Sequence, residues 1–416
     1  MIDVFVTKGI RTQLQSGKEP IDMKISRMAN VIEPSLTRKL FNMAKQYDNV
    51  IDLTLGDPDV QPNEQIKKAA CRAIMDGKTR YSANAGLPEL RKAIASCIEK
   101  EYKTPIDFDK NIIITVGGME ALFLTFATIL DPGDEVIIQA PYYVNYVQMV
   151  KMCGGVPVVI STTEENDFQL SIDDVKKSIT DKTVAIVINS PSNPSGMVMD
   201  SDTLDQLAKV AKENDLLVIS DEVYRTLLFD GQKHDSIIFR DGMVERTILI
   251  DSISKRFAMT GYRVGFAVGP EEVIAAMVKM QENVCACAPL PSQYAAIEAY
   301  TNCLDQEYIL DIFEHRRNVL VEGINNINGL RCNKPAGTFY LFVNISSTGL
   351  DCIDFAYKLL EDQKVAVVPA VTYGEAYKDY IRIAFTLEEE KLVEAVDRIR
   401  KFVISRNTER SDKDAK

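Results

Sequence analysis

Histidine is close to absent from this chain: His234 and His315 are the only two among 416 residues. That scarcity excludes a histidine-rich metal centre, and cysteine does not fill the gap. The eight cysteines are scattered, and the one close pair, Cys285-Ala286-Cys287, has neither a histidine nor a second cysteine pair beside it. No metal site is expected, and reduced, mostly buried thiols are the simpler reading. Long apolar runs are missing too. None approaches the roughly eighteen residues of a membrane span, and the first residues lack a basic region followed by an apolar core. A cytoplasmic protein is therefore expected. Basic residues are in deficit, with 48 Lys and Arg against 60 Asp and Glu and a net charge of −12. This balance argues against nucleic acid or an anionic membrane as a partner. Any bound anion must find a local cluster of donors.

The chain is too long for one compact core, which predicts two domains. Residues 1–24 are polar and aperiodic and read as an arm. After Pro34-Ser35, Leu36, Leu40, Met43 and Ala44 recur at helical spacing. The strand-like run from Val50 ends in Gly56 and Pro58. From Ile112 the pattern becomes a repeat of strands and helices: the strand at 112–116, the helix from Gly117 to Leu130, the strand from Glu135, then further pairs up to the strand at 247–251. Such alternation predicts an α/β fold with a mostly parallel sheet and helices on both faces. The segment after Gly269 is helix-rich. The C-terminal part adds strands near 337–343, at 365–368 and at 380–385, and a helix from Cys352. The charged tail 406–416 lacks apolar anchors and is expected to be disordered.

Polar residues gather where strands end, the place where open α/β sheets keep their chemistry. Gly117-Gly118-Met119 lies between a strand and a helix, so its amides and the helix dipole can face an anion. A plain turn explains the two glycines equally well. Asn193 also reads as an Asn-Pro turn, and Asp221 as a helix cap. Arg382 interrupts an apolar strand, and because an unpaired buried guanidinium is costly, a carboxylate is expected beside it. The most informative stretch is Ser252-Ile253-Ser254-Lys255 with Arg263. Two hydroxyls and an arginine surround an amine able to form a Schiff base, the combination a pyridoxal phosphate site needs. A solvated lysine on a loop is the alternative for an isolated Ser-x-Ser-Lys.

Ser252 to Gly265 resembles the lysine signature of class I/II aminotransferases of fold type I, Ser-x-Ser-Lys-x-Phe-x-Met-x-Gly-x-Arg-x-Gly, at every fixed position. The likeness runs from about Ile25 to Phe402. It implies a seven-stranded-type sheet in a large cofactor domain, residues 56–299, and a small α+β domain from residues 25–55 and 300–405. It implies that Lys255 holds pyridoxal 5'-phosphate and acts as the base, that Asp221 bonds the pyridine nitrogen, and that Asn193 and Tyr224 bond the phenolate oxygen. The phosphate falls to Ser252, Ser254, Arg263 and the Gly118 and Met119 amides, and Tyr143 of Pro141-Tyr142-Tyr143 stacks on the ring. Gly56 and Arg382 meet the substrate, Arg382 as the partner of its α-carboxylate. Tyr81 reaches the phosphate of the neighbouring subunit, so a homodimer with shared sites is implied. The chain departs from the family's pattern where Ala370 and Tyr377 stand in place of glycine, changes expected to bear on the pocket's shape. An amino acid aminotransferase using a 2-oxo acid, 2-oxoglutarate foremost, is the expected activity. A carbon–sulfur β-lyase on the same scaffold shares these residues, and a non-enzymatic effector-binding domain is disfavoured by the complete Lys, Asp and Arg set.

Overall fold

The computed structural model describes residues 24–34 and 36–414. The expected arm lies outside the described residues, apart from Lys24. At the other end, the helix that starts at Glu389 continues to Asp414, through most of the segment read from sequence as disordered.

Seven strands form one sheet in the order Ile112–Thr115, Gly265–Val268, Thr247–Ser252, Leu217–Asp221, Thr183–Asn189, Glu135–Ala140 and Val156–Ser161. All neighbours are parallel except Gly265–Val268, which runs antiparallel to both strands beside it. The interior strands are apolar without alternation because helices cover both faces; Ile186 and Val187, adjacent in sequence, are both buried but belong to different cores. The result is a common edge at which the parallel strands end, and Asn189, Asp221 and Ser252 occupy it.

A second unit packs over that edge. Tyr340–Asn344 pairs antiparallel with Tyr380–Ala384, which in turn pairs with Val368–Pro369. The apolar run at 365–368, expected as one strand, is two: Val365–Ala366 pairs in parallel with Ile51–Asp52 instead. A strand that is buried throughout can serve two sheets by turning once between them. Leu40 and Ala44 of the helix Leu36–Ala44 join one apolar core with Phe313, Phe355, Ile381 and Phe402, so the N-terminal helix is held by C-terminal residues. Ala384 N–H donates to Leu53 O at 2.9 Å, which extends this tie to the stretch that carries Gly56.

Candidate active site

A cavity of about 440 Å³ lies between the sheet edge and the second unit. It brings together Lys255, Asp221, Tyr224, Asn193, Tyr143, Ser252, Ser254, Arg263, Gly118, Met119, Gly56 and Arg382, residues up to 326 positions apart (382 − 56) that line it in common. Tyr81 is not among them. It is 86% exposed and borders a separate cavity with Cys287 and Pro289, so nothing within a single chain carries it to Lys255.

Lys255 sits on the short helix Ile253–Arg256, directly after the strand Thr247–Ser252. Ser252 caps that helix by accepting from Ser254 N–H at 3.1 Å. The Lys255 Nζ donates to Gly56 O at 2.6 Å, and burial lowers its pKa from 10.5 to about 8. About a tenth of it is then neutral at pH 7, far more than for an unperturbed lysine, which makes this amine a usable nucleophile and base.

Asp221 ends its strand fully enclosed. Tyr146 O–H donates to its Oδ2 at 2.5 Å and Val223 N–H to its Oδ1 at 3.3 Å, while burial raises its pKa to about 6. Asn189 fastens this strand end to the next, because its Nδ2 donates to Asp221 O at 2.9 Å and its Oδ1 accepts from Asn193 N–H at 2.8 Å. One carboxamide thus sets the spacing between Asn193 and Asp221.

An anion cradle lies at one end of the cavity. The helix Gly117–Ile129 begins without a side-chain cap, which leaves its first amides and the positive end of its dipole facing the space. Arg263 is in the left-handed conformation, donates to Thr260 O at 2.9 Å and packs on Gly117, where an added Cβ would lie 2.4 Å from Arg263 Nη2. Only glycine leaves room for the guanidinium against the helix start. Tyr143 stands close by, its hydroxyl 3.3 Å from Met119 Sδ and accepting from Asn145 Nδ2 at 3.0 Å. Tyr142, its neighbour, does not line the cavity and packs against two apolar cores.

Arg382 is buried with no carboxylate bonded to it among the described residues. Its Nη1 donates to Asn193 Oδ1 at 3.1 Å, its Nη2 donates to Thr54 O, and its Nε has no partner. A buried, incompletely satisfied guanidinium facing a cavity is a site prepared for an incoming acid. Ala370 and Tyr377, expected to reshape the pocket, do not line it. Both belong to an apolar core behind it, where Tyr377 O–H donates to Thr162 O at 3.0 Å.

Several lining residues escaped sequence reasoning: Arg38, Thr54, Tyr146, Asn189, Tyr340 and Tyr373. Asn189, a polar residue closing an apolar strand, carried a local signal. Arg38, Tyr340 and Tyr373 carried none, since they reach the cavity through packing between distant segments.

The amine, the acid and the anion cradle lining one cavity fit pyridoxal 5'-phosphate. The family model for aminotransferase class I and II matches residues 48–399. The chain is 41% identical to an aspartate aminotransferase of Pyrococcus abyssi over 384 residues, covering 92% of this chain and 98% of that one. It is 40% identical, over the same shares, to aromatic-amino-acid aminotransferase 2 of Thermococcus litoralis. Among solved structures, the aspartate aminotransferase of Thermus thermophilus with maleate superposes with a TM-score of 0.87 at 37% identity, covering 91% of this chain and 99% of that one.

Proposed function

Because this chain belongs to the class I and II aminotransferases, a family that uses pyridoxal phosphate, we propose a role for each wall of its cavity in moving an amino group from an L-amino acid to a 2-oxo acid. Pyridoxal 5'-phosphate supplies an aldehyde that condenses with amines and a ring that takes up the electron pair left at the substrate's Cα. Lys255 would hold the aldehyde and, once free of it, would serve as the general base that takes a proton from the substrate's Cα. Asp221 keeps the ring nitrogen protonated through a charge-assisted hydrogen bond. Tyr224 and Asn193 would donate to the phenolate oxygen. Ser252, Ser254, Arg263 and the Gly118 and Met119 amides would hold the phosphate, with Tyr143 against the ring, and Gly56, whose carbonyl accepts from Lys255, would border the substrate.

The observation that carries this reading is that one cavity holds both Lys255, whose amine is lowered to about 8, and the acid-free guanidinium of Arg382. An amine and an α-carboxylate bind at the two, which orients Cα toward the base. Arg38 also lines the cavity and supplies the second cation that a dicarboxylic acceptor such as 2-oxoglutarate requires. Aspartate, aromatic or aliphatic donors fit the same carboxylate clamp.

A half-reaction screen tests the activity. Holoenzyme mixed with single amino acids is expected to lose the absorption band of the lysine-bound cofactor and release a 2-oxo acid. Release of pyruvate with ammonia or a thiol, and recovery of the band without an acceptor, would indicate β-elimination in its place.

We also propose a homodimer with Tyr81 completing the partner's site, supported by its exposure and by that of the apolar Ile74 and Met75. Mixing Tyr81→Phe with Lys255→Ala chains is expected to regenerate one intact site per hybrid. Hybrids no more active than their parents would refute it. The large unit 56–299 and the small unit 25–55 with 300–405 serve as its two domains. The eight unpaired thiols suit a reducing, cytoplasmic setting.

A further inference from the structure

Tyr340 has no role in the assignments above, yet three of the proposed functional groups meet on it. It begins the strand Tyr340–Asn344, and Arg382 on the neighbouring strand pairs in register with Phe342. Residues two apart share a sheet face, so Tyr340 lies diagonally beneath Arg382. The Arg382 guanidinium carbon is 4.3 Å from the Tyr340 ring centroid. At its other end, the Tyr340 hydroxyl is 3.1 Å from that of Tyr224 and fills the space against Gly56, where an added Cβ would come within 1.7 Å of it. Gly56 O is the acceptor for the Lys255 amine. Tyr340 is 3% exposed and Tyr224 4%, and both line the cavity.

Two phenols in contact share their hydrogen bond in one of two senses. If Tyr224 donates to Tyr340, it has no proton for any other acceptor. If Tyr340 donates, the Tyr224 proton is available to the cavity. We propose that Tyr340 is a positioning residue for transamination, its hydroxyl donating to Tyr224 so that Tyr224 can donate to the cofactor's phenolate oxygen, and its ring holding Arg382 in the orientation that receives the substrate carboxylate. The inference rests on the reading of the cavity as a pyridoxal phosphate site. It joins the carboxylate clamp and the phenolate contact through one side chain whose two halves can be removed separately.

The test uses holoenzyme and two readouts that a purely structural role would not separate. One is the pH at which the band of the lysine-bound cofactor titrates. The other is the Kd of maleate, a dicarboxylate with no amine. In Tyr340→Phe the ring stays and the hydroxyl goes, so the titration midpoint is expected to rise by about half a pH unit or more. The maleate Kd should then change by less than about twofold. In Tyr340→Met both halves are lost, and the maleate Kd is expected to rise about tenfold in addition. An unchanged midpoint in Tyr340→Phe overturns the hydroxyl assignment, and an unchanged Kd in Tyr340→Met overturns the ring assignment. Tyr340→Phe is isosteric and decides the proposal alone if the second variant does not fold. A wild-type protein with no titrating cofactor band would instead defeat the underlying site reading.

Discussion

The two walls of the cavity are made in different ways. Asp221, Ser252 and Lys255 come from ends of adjacent strands in one sheet, and Asn189, at the end of the next strand, ties Asn193 to Asp221 through its carboxamide. Arg382, Tyr340 and Gly56 face them from segments that meet only when the N- and C-terminal parts pack; the bond from Arg382 to Thr54 O spans 328 residues. The first wall inherits its geometry from strand register, which a single side chain hardly alters. The second depends on the docking of one unit on another. Substitutions on the sheet wall should therefore alter chemistry at nearly constant substrate binding, and those on the docked wall should alter binding first.

Lys255→Ala tests the sheet wall with the largest effect. Turnover is expected to fall on the order of 10³-fold or more, while the phosphate cradle still retains cofactor. Activity near wild type would remove Lys255 from the role of base. The same variant checks the electrostatics. In cofactor-free protein the folded state gives up the Lys255 proton at about 8, against 10.5 for an unperturbed lysine. Between those values the unfolded chain binds more protons, so this group adds stability as pH rises through the window. Below about pH 8 its burden on the fold is full. Denaturant unfolding at several pH values should show Lys255→Ala gaining most on wild type below pH 8, with the gain shrinking toward pH 10.5.

On the docked wall, Arg382→Ala should cost about 3 kcal/mol in kcat/KM for every amino acid. The α-carboxylate loses its partner whatever the side chain, so the loss should be uniform across donors. A loss confined to one donor would show that Arg382 reads the side chain instead.

The difference between the walls also marks what the sequence made legible. The motif from Ser252 to Gly265 compresses a strand end, a helix cap and the guanidinium proposed to hold phosphate into fourteen residues, so local spacing carried most of the first wall. Asp221 and Asn193 stand at strand ends, where a helix cap and an Asn-Pro turn explain them equally well, and only the order of residues shared with the family singled them out. Arg382 was conspicuous as a charge inside an apolar strand, but the expected carboxylate is absent among its bonds, which end on Asn193 and Thr54. Tyr340 and Tyr373 look like ordinary core aromatics in sequence, and their turn toward a cavity follows from strand pairing and docking. The split of 365–368 into two strands was equally hidden, since uniform burial erases the alternation that would mark a change of partner.

Tyr146→Phe sharpens the sheet wall. Its hydroxyl donates to Asp221 Oδ2 and favours the carboxylate against the burial that raises it to about 6. Loss of a hydrogen bond to a charged group of about 1.5 kcal/mol should lower kcat about tenfold and move the acidic limb of the pH profile upward. The KM for the amino acid should hold. A changed KM with an unmoved acidic limb would make Tyr146 a packing residue.

Arg38→Ala is the smallest and most selective break in the docked wall. Arg38 is carried by the helix Leu36–Ala44, whose apolar side is fixed by the C-terminal core, and it reaches the cavity from an exposed position. A solvent-facing ion pair is worth at most about 1 kcal/mol, so the KM for 2-oxoglutarate or aspartate should rise about fivefold. Phenylalanine presents no second carboxylate and should be unaffected. Because the contact is exposed, the difference between wild type and Arg38→Ala should shrink as salt is raised, whereas the Arg382 effect, set in a buried clamp, should persist. Equal increases in KM for aspartate and phenylalanine would mean that the substitution loosens the N-terminal helix as a whole, and that the second cation is supplied elsewhere.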